Sequence, residues 1–221
     1  MGEPDVQEGR CGGLEWAVLA TPFPGQRRSG DGFLVEETVT GTLVALVDAL
    51  GHGDDAADVA DHALYSLHQT AGQPLPDCVA ACHAALRGSR GAAVTLAMVE
   101  TDFRRVTWAG VGNVEAAVVR RSRRGAPVFR RSVILRAGVI GDRLPHLRPS
   151  TEPISDGDTL IAATDGLRMD FLNGVDPWLP PAKLARRLHR LHAKGTDDAL
   201  VLASRFLRPT TEVRSGVAPY F

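Results

Sequence analysis

At 221 residues, with 44% apolar and 23% charged side chains, the chain has the balance of a globular protein. It is long enough for one domain with a sizeable core. The net charge of −1 excludes strong whole-molecule attraction to nucleic acid, and no apolar run reaches the ~18 residues of a membrane span. Three cysteines exclude a disulfide framework.

Residues 1–11, with Glu3, Asp5 and Glu8 and no signal-type apolar stretch after them, read as a loose terminus of a soluble, cytoplasmic protein. Leu14 to Ala20 reads as a strand that turns at Pro22-Phe23-Pro24-Gly25. Gly32 to Glu36 and Gly41 to Val47 read as the next two strands. The second is apolar throughout, so both its faces should be covered. Gly53 to Thr70 predicts a helix, with Ala56, Val59, Ala60, Ala63, Leu64 and Leu67 at helical spacing. Asp54, Asp55 and Asp58 crowd its first turns, where the helix dipole favours negative charge. A second helix is expected from Leu75 to Leu86. Cys78 and Cys82 lie on it as small apolar side chains, because no second Cys or His pair completes a zinc site.

Four short β-branched runs follow: 92–100, 104–109, 114–120 and 128–135. The arginine-rich stretch from Arg120 to Arg131 reads as a solvated hairpin loop. Thr159 to Ala163 is a further apolar strand, Pro181 to Ala193 a helix carrying His189 and His192 at its surface, and Leu200 to Ala203 a closing strand. Residues 208–221 read as a loose tail. Strands at both ends and in the middle, with two helices early and one late, predict an α+β fold of two packed, mainly antiparallel sheets flanked by helices.

Four acids share one pattern, in which an aspartate stands at one end of an apolar run near glycine or another aspartate. They are Asp31 in Ser29-Gly30-Asp31-Gly32, Asp48 in Val47-Asp48-Ala49-Leu50-Gly51-His52-Gly53, Asp165 in Ala163-Thr164-Asp165-Gly166, and Asp197 in Thr196-Asp197-Asp198-Ala199. Carboxylates gathered at one sheet edge repel unless a cation lies among them. Hard divalent ions held by oxygen ligands supply that charge.

These stretches resemble the metal motifs of the PPM-type metal-dependent serine/threonine protein phosphatases, in the bacterial branch of SpoIIE, RsbU and RsbX. Cys82 to Gly91, Trp108 to Asn113 and Gly138 to Gly141 look most like the small RsbX group. The resemblance covers residues 12–207 as one phosphatase domain and implies an α-β-β-α sandwich with Mn²⁺ or Mg²⁺, two ions, at one edge. It implies that Asp48 bridges both metals, that the Ala49 carbonyl binds one of them, that Asp165 and Asp197 bind the other, and that Asp31 completes the cluster. Asp48, Asp165 and Asp197 would act through metal-bound water. Asp198 is the less defined member of its pair.

Two departures from the family matter. The residue after the bridging aspartate is usually glycine and here is Ala49, for which a positive φ would be costly. Larger relatives carry a phosphate-holding arginine upstream, for which Arg27 and Arg28 are candidates. His52, between two glycines, is a candidate for proton transfer or for ordering the loop. Asn113 is explained by tolerance of a left-handed turn.

Gly51-His52-Gly53-Asp54-Asp55-Ala56 also fits a dinucleotide fingerprint. Asp54 and Asp55 would stand where a pyrophosphate must bind, which rejects that reading. The resemblance implies a phosphorylated protein substrate, of the STAS-domain type in a bacterial stress-signalling module, with neither nucleic acid nor membrane as partner. Two other readings stay open: a non-catalytic binding module of the same fold, and a hydrolase of a small phosphorylated metabolite.

Overall fold

The computed structural model describes residues 5–121 and 129–207. Its elements are β1 (Val6–Cys11), β2 (Leu14–Thr21), β3 (Asp31–Thr38), β4 (Gly41–Ala49), α1 (Asp54–Thr70), α2 (Leu75–Ala85), β5 (Ala92–Glu100), β6 (Arg105–Val111), β7 (Glu115–Arg120), β8 (Phe129–Ser132), β9 (Leu135–Arg136), β10 (Ser150–Pro153), β11 (Thr159–Ala163), α3 (Pro181–His192) and β12 (Ala199–Phe206). A short 3-10 helix, Phe171–Gly174, precedes α3.

Two sheets pack face to face. One runs β1-β2-β12-β11-β7-β8 and the other β10-β6-β5-β4-β3, with β9 alongside β6. Every pairing is antiparallel except β6 with β9. Helices α1 and α2 cover the outer face of the second sheet and α3 that of the first. This is the four-layer arrangement that the order of elements predicts.

The period of two explains the layers. Along β4, Leu43, Ala45 and Val47 pack under α1 and α2, whereas Val44 and Leu46 enter the space between the sheets. Both faces of β4 are covered, which is why its sequence is apolar throughout. The inter-sheet core is completed by Leu14, Trp108, Val118, Leu160 and Leu202, and the third core by Leu184, Leu188 and Ile161 under α3. Cys78 and Cys82 are free and buried beneath α1, and burial pushes the Cys82 thiol up to about 12.

Two expectations need correction. The N-terminal residues 6–11 are not a loose terminus. They form an edge strand in full register with β2, Val6 opposite Leu19 and Cys11 opposite Leu14. The exposed Glu8 and Arg10 are the charges that keep such an edge from pairing further. His192 is not at the surface. It is buried and 3.2 Å from Asp170, because residues 165–170 fold back over the end of α3, with Leu167 bridged to Ala193. The tail 208–221 and the centre of the arginine-rich loop, 122–128, lie outside the described residues.

Candidate metal centre at the sheet edge

The same alternation that builds the inter-sheet core carries acids to its rim. Asp48 continues the Val44, Leu46 row of β4, and Asp31 continues the Phe33, Val35 row of β3. The two aspartates are register partners across β3 and β4, so their side chains leave the same face side by side. From the opposite sheet, Thr164 follows the row Leu160, Ala162, and Asp198 precedes the row Leu200, Leu202. Asp165 and Asp197 stand on the turns next to them. A Cβ on Gly166 would overlap the Asp198 carbonyl, so only glycine lets the 165–166 and 197–198 turns press together.

Burial grades across the cluster. Asp31 and Asp198 are buried, Asp48 and Asp197 half-buried, and Asp165 exposed at the mouth. The Thr164 hydroxyl donates to Asp31 Oδ2 at 2.7 Å and accepts the Leu200 N–H at 3.0 Å, stitching the two sheets together at the site. The Asn113 amide donates to Asp165 Oδ2 at 2.7 Å and also supports Asp48. Asp198 accepts the N–H of Phe23 at 2.6 Å and of Gly30 at 2.9 Å, and so ties down the loop between β2 and β3.

The electrostatics are those of crowded acids. Burial, then the charges of Asp165, Asp197 and Asp198, raise the Asp48 carboxyl from 3.8 to about 7. Burial, then Asp48, holds Asp31 well above the ordinary carboxylate range, against the bond from Thr164. Among the described residues, no Arg or Lys forms an ion pair with any of the five aspartates. The carboxylates converge without closing. Among the described residues, no three His, Cys, Asp or Glu side chains already stand where they could hold one ion. Asp31, Asp165, Asp197 and Asp198 are turned onto hydrogen-bond donors instead. The donor set nevertheless fits a hard divalent cation, since it is all oxygen, strongly negative and open to solvent on one side.

The remaining sequence candidates fall as follows. Ala49 ends β4, buried, without a positive φ, so the strain expected of alanine here does not arise. Its carbonyl and Asp198 Oδ2 lie 3.3 and 3.2 Å from the point a Cβ on Gly30 would occupy, which places the carbonyl beside the acids. Gly51, with φ 89°, makes the turn that follows. His52 is exposed and stacks on Phe23, ring centroids 4.0 Å apart, which orders the loop. Arg28 is engaged elsewhere, 2.6 Å from Asp58 and 2.8 Å from Asp61 on α1, and Arg27 is exposed.

Asn113, Thr164 and Asp198 are the site residues that sequence reasoning missed or left undefined. Asn113 has no left-handed backbone, so turn geometry does not account for it. Its place directly after β6, which ends at the same edge as β4, was the available signal.

Comparison with known proteins bears on the family and the fold. No curated protein matches the chain. Among solved structures, a chain from the bacterial stressosome, described as a modular system adapted to control secondary messenger signalling, is 26% identical. The match covers 87% of this chain and 99% of that one, with a TM-score of 0.77. RsbX in complex with magnesium is 18% identical, with coverages of 91% and 99% and a TM-score of 0.77. The catalytic domain of the serine/threonine protein phosphatase PstP, in complex with manganese, is 16% identical, with coverages of 88% and 98% and a TM-score of 0.65. Residues 38–208 match the family of Stage II sporulation protein E (SpoIIE). The chain therefore belongs to the SpoIIE family and has the fold of the PP2C-type protein phosphatases.

Proposed function

We propose that this chain is a metal-dependent phosphoprotein phosphatase that hydrolyses phosphoserine or phosphothreonine. One observation carries the reading: five aspartates from four strand ends meet at one edge, none of them in an ion pair with an Arg or Lys among the described residues, and two are held above their ordinary ionisation range. Such a site is costly for the bare protein and suited to divalent cations. Asp48, Asp165 and Asp197, with the Ala49 carbonyl and Asp31, would hold two Mn²⁺ or Mg²⁺. When bound, these ions neutralise a phosphate of about −1.5 to −2 charge and bring water to an acidity near ~7, so that a nucleophile is available at neutral pH.

The protein's own groups do the positioning. Asn113 holds Asp165 toward the mouth, Thr164 fixes Asp31, and Asp198 anchors Gly30 and with it the start of β3. The deep side of the cluster is backed by the apolar inter-sheet core, which keeps water on the open side.

The RsbX-like motifs, with the stressosome and RsbX among the similar folds, support phosphorylated STAS-domain proteins of a stress-signalling module as the substrate, in the cytoplasm. No helix among the described residues is long and apolar enough to cross a membrane. The test is hydrolysis of p-nitrophenyl phosphate and of a phosphorylated STAS-domain protein in Mn²⁺. Both activities should vanish in Asp48→Asn and Asp165→Asn. Turnover that survives both substitutions would remove the site from the chemistry.

A further inference from the structure

Arginines collect on one bank of the carboxylate cluster. Two loops form this bank, residues 86–91 between α2 and β5 and residues 135–143 after β8. They are joined by backbone bonds between Ala92 and Ile140, at 3.0 and 2.8 Å, and by the Gly141 N–H on His83 Nδ1 at 3.0 Å. Both loops sit at the site edge. Ala92 pairs with Ala49, and the Arg136 carbonyl accepts the N–H of Gly112, the residue before Asn113, at 2.9 Å.

Arg87, Arg90, Arg136 and Arg143 are all exposed there. Arg90 is tied in place. It donates to the Leu50 carbonyl at 3.2 Å, directly after Ala49, and to Asp55 at 2.9 Å. Among the described residues, Arg87, Arg136 and Arg143 have no acid within ion-pair distance, and Asp142 is the acid between the last two. In a chain of net charge −1, four arginines on two touching loops are a local field, not a general property of the surface.

Resting on the phosphatase reading, we propose that this bank selects phosphoproteins whose phosphorylated serine or threonine is flanked within a few residues by Asp or Glu. An extended peptide advances about 3.3 Å per residue, so a chain with its phosphate at the cluster lays its neighbouring side chains over the adjacent loops. Arginine forks pair well with carboxylates, and complementary rim charges raise encounter rates and reject mismatched sequences. Arg28, bound to two acids of α1, is not free to do this.

The experiment is a panel of phosphothreonine peptides with acidic, neutral or basic flanks, run in Mn²⁺ beside p-nitrophenyl phosphate. For the wild-type chain, kcat/KM for the acidic peptide should exceed that for the neutral one by roughly 10-fold, and the advantage should shrink as salt screens exposed charges. In the double variant Arg136→Glu, Arg143→Glu the preference should disappear or invert, while p-nitrophenyl phosphate turnover stays within about twofold. Equal turnover of all peptides by the wild-type chain, with p-nitrophenyl phosphate still cleaved, overturns the selectivity and leaves the phosphatase reading intact. A double variant that keeps the wild-type preference overturns it too. If that variant does not fold, Arg87→Glu and the wild-type salt dependence decide. Absence of turnover on every substrate removes the phosphatase reading and this inference with it.

Discussion

Asp48→Asn should stabilise the metal-free protein while abolishing its activity. The carboxyl rises from 3.8 to about 7 because the folded chain buries it and surrounds it with Asp165, Asp197 and Asp198. A raised acid binds its proton more tightly in the folded than in the unfolded state, so folding stability falls as pH climbs through the interval between these values. Below pH 4 no penalty exists, and above pH 7 it is complete. The shift of about 3 units, at 1.36 kcal/mol each, sets the penalty at ~4 kcal/mol. Asparagine keeps the shape and drops the charge, recovering about half to all of this. That corresponds to a midpoint rise of roughly 5–10 °C for a chain of this length. The measurement is thermal unfolding of both proteins in EDTA at pH 8 and pH 5.5, then in Mn²⁺ at pH 8. The gain at pH 5.5 should be about half that at pH 8, since only half the titration interval has been crossed. In Mn²⁺ at 100 times its Kd the wild-type chain recovers ~2.7 kcal/mol per ion, so the variant's advantage should contract. A variant less stable than wild type in EDTA at pH 8, or an advantage unaltered by Mn²⁺, would refute the electrostatic account.

Asn113→Ala removes the donor shared by Asp165 and Asp48 and should weaken Mn²⁺ binding roughly 10–100-fold by calorimetry; unchanged affinity would reduce Asn113 to a loop residue. Asp198→Ala leaves the N–H groups of Phe23 and Gly30 without an acceptor and should cost about 2–4 kcal/mol of stability in EDTA and in Mn²⁺ alike, measured by urea unfolding. Arg28→Ala cuts only solvent-screened ion pairs, so it should leave the unfolding midpoint nearly unchanged and kcat/KM on a phosphopeptide within about twofold; a tenfold loss would return Arg28 to the phosphate site. Ala49→Gly should lower stability by about 0.5–1 kcal/mol without tightening Mn²⁺, because β4 holds this residue without a positive φ that glycine would relieve.

How much of this was readable from the chain depends on how far apart the interacting groups lie in sequence. The layers were legible because a period of two along β4 and a period of 3.6 along α1 are local properties. Asp48 and Asp165 were legible because an acid ending an apolar run conflicts with its surroundings, and Asp31 and Asp197 because an acid beside a glycine or a second aspartate stands just before one, patterns visible within a few residues. Asp198 was not, because what separates its role from that of Asp197 is a pair of N–H donors 175 and 168 residues away. Asn113 was hidden in the same way, its partner Asp165 lying 52 residues on. The edge strands β1 and β10 were missed for a different reason. An edge strand faces solvent, so Gln7, Glu8 and Arg10, and Thr151 and Glu152, replace the apolar alternation that marks an inner strand.

The site departs from local consistency in one respect that folding alone does not explain. Uncharged side chains at Asp31 and Asp48 would satisfy the strand ends at lower cost, yet the chain directs both carboxylates to the rim of the space between its sheets and uses Thr164 and Asn113 to hold the acids of the cluster in place. A fold that bears such a penalty at one edge supports the proposal that the other half of the interaction there is a cation.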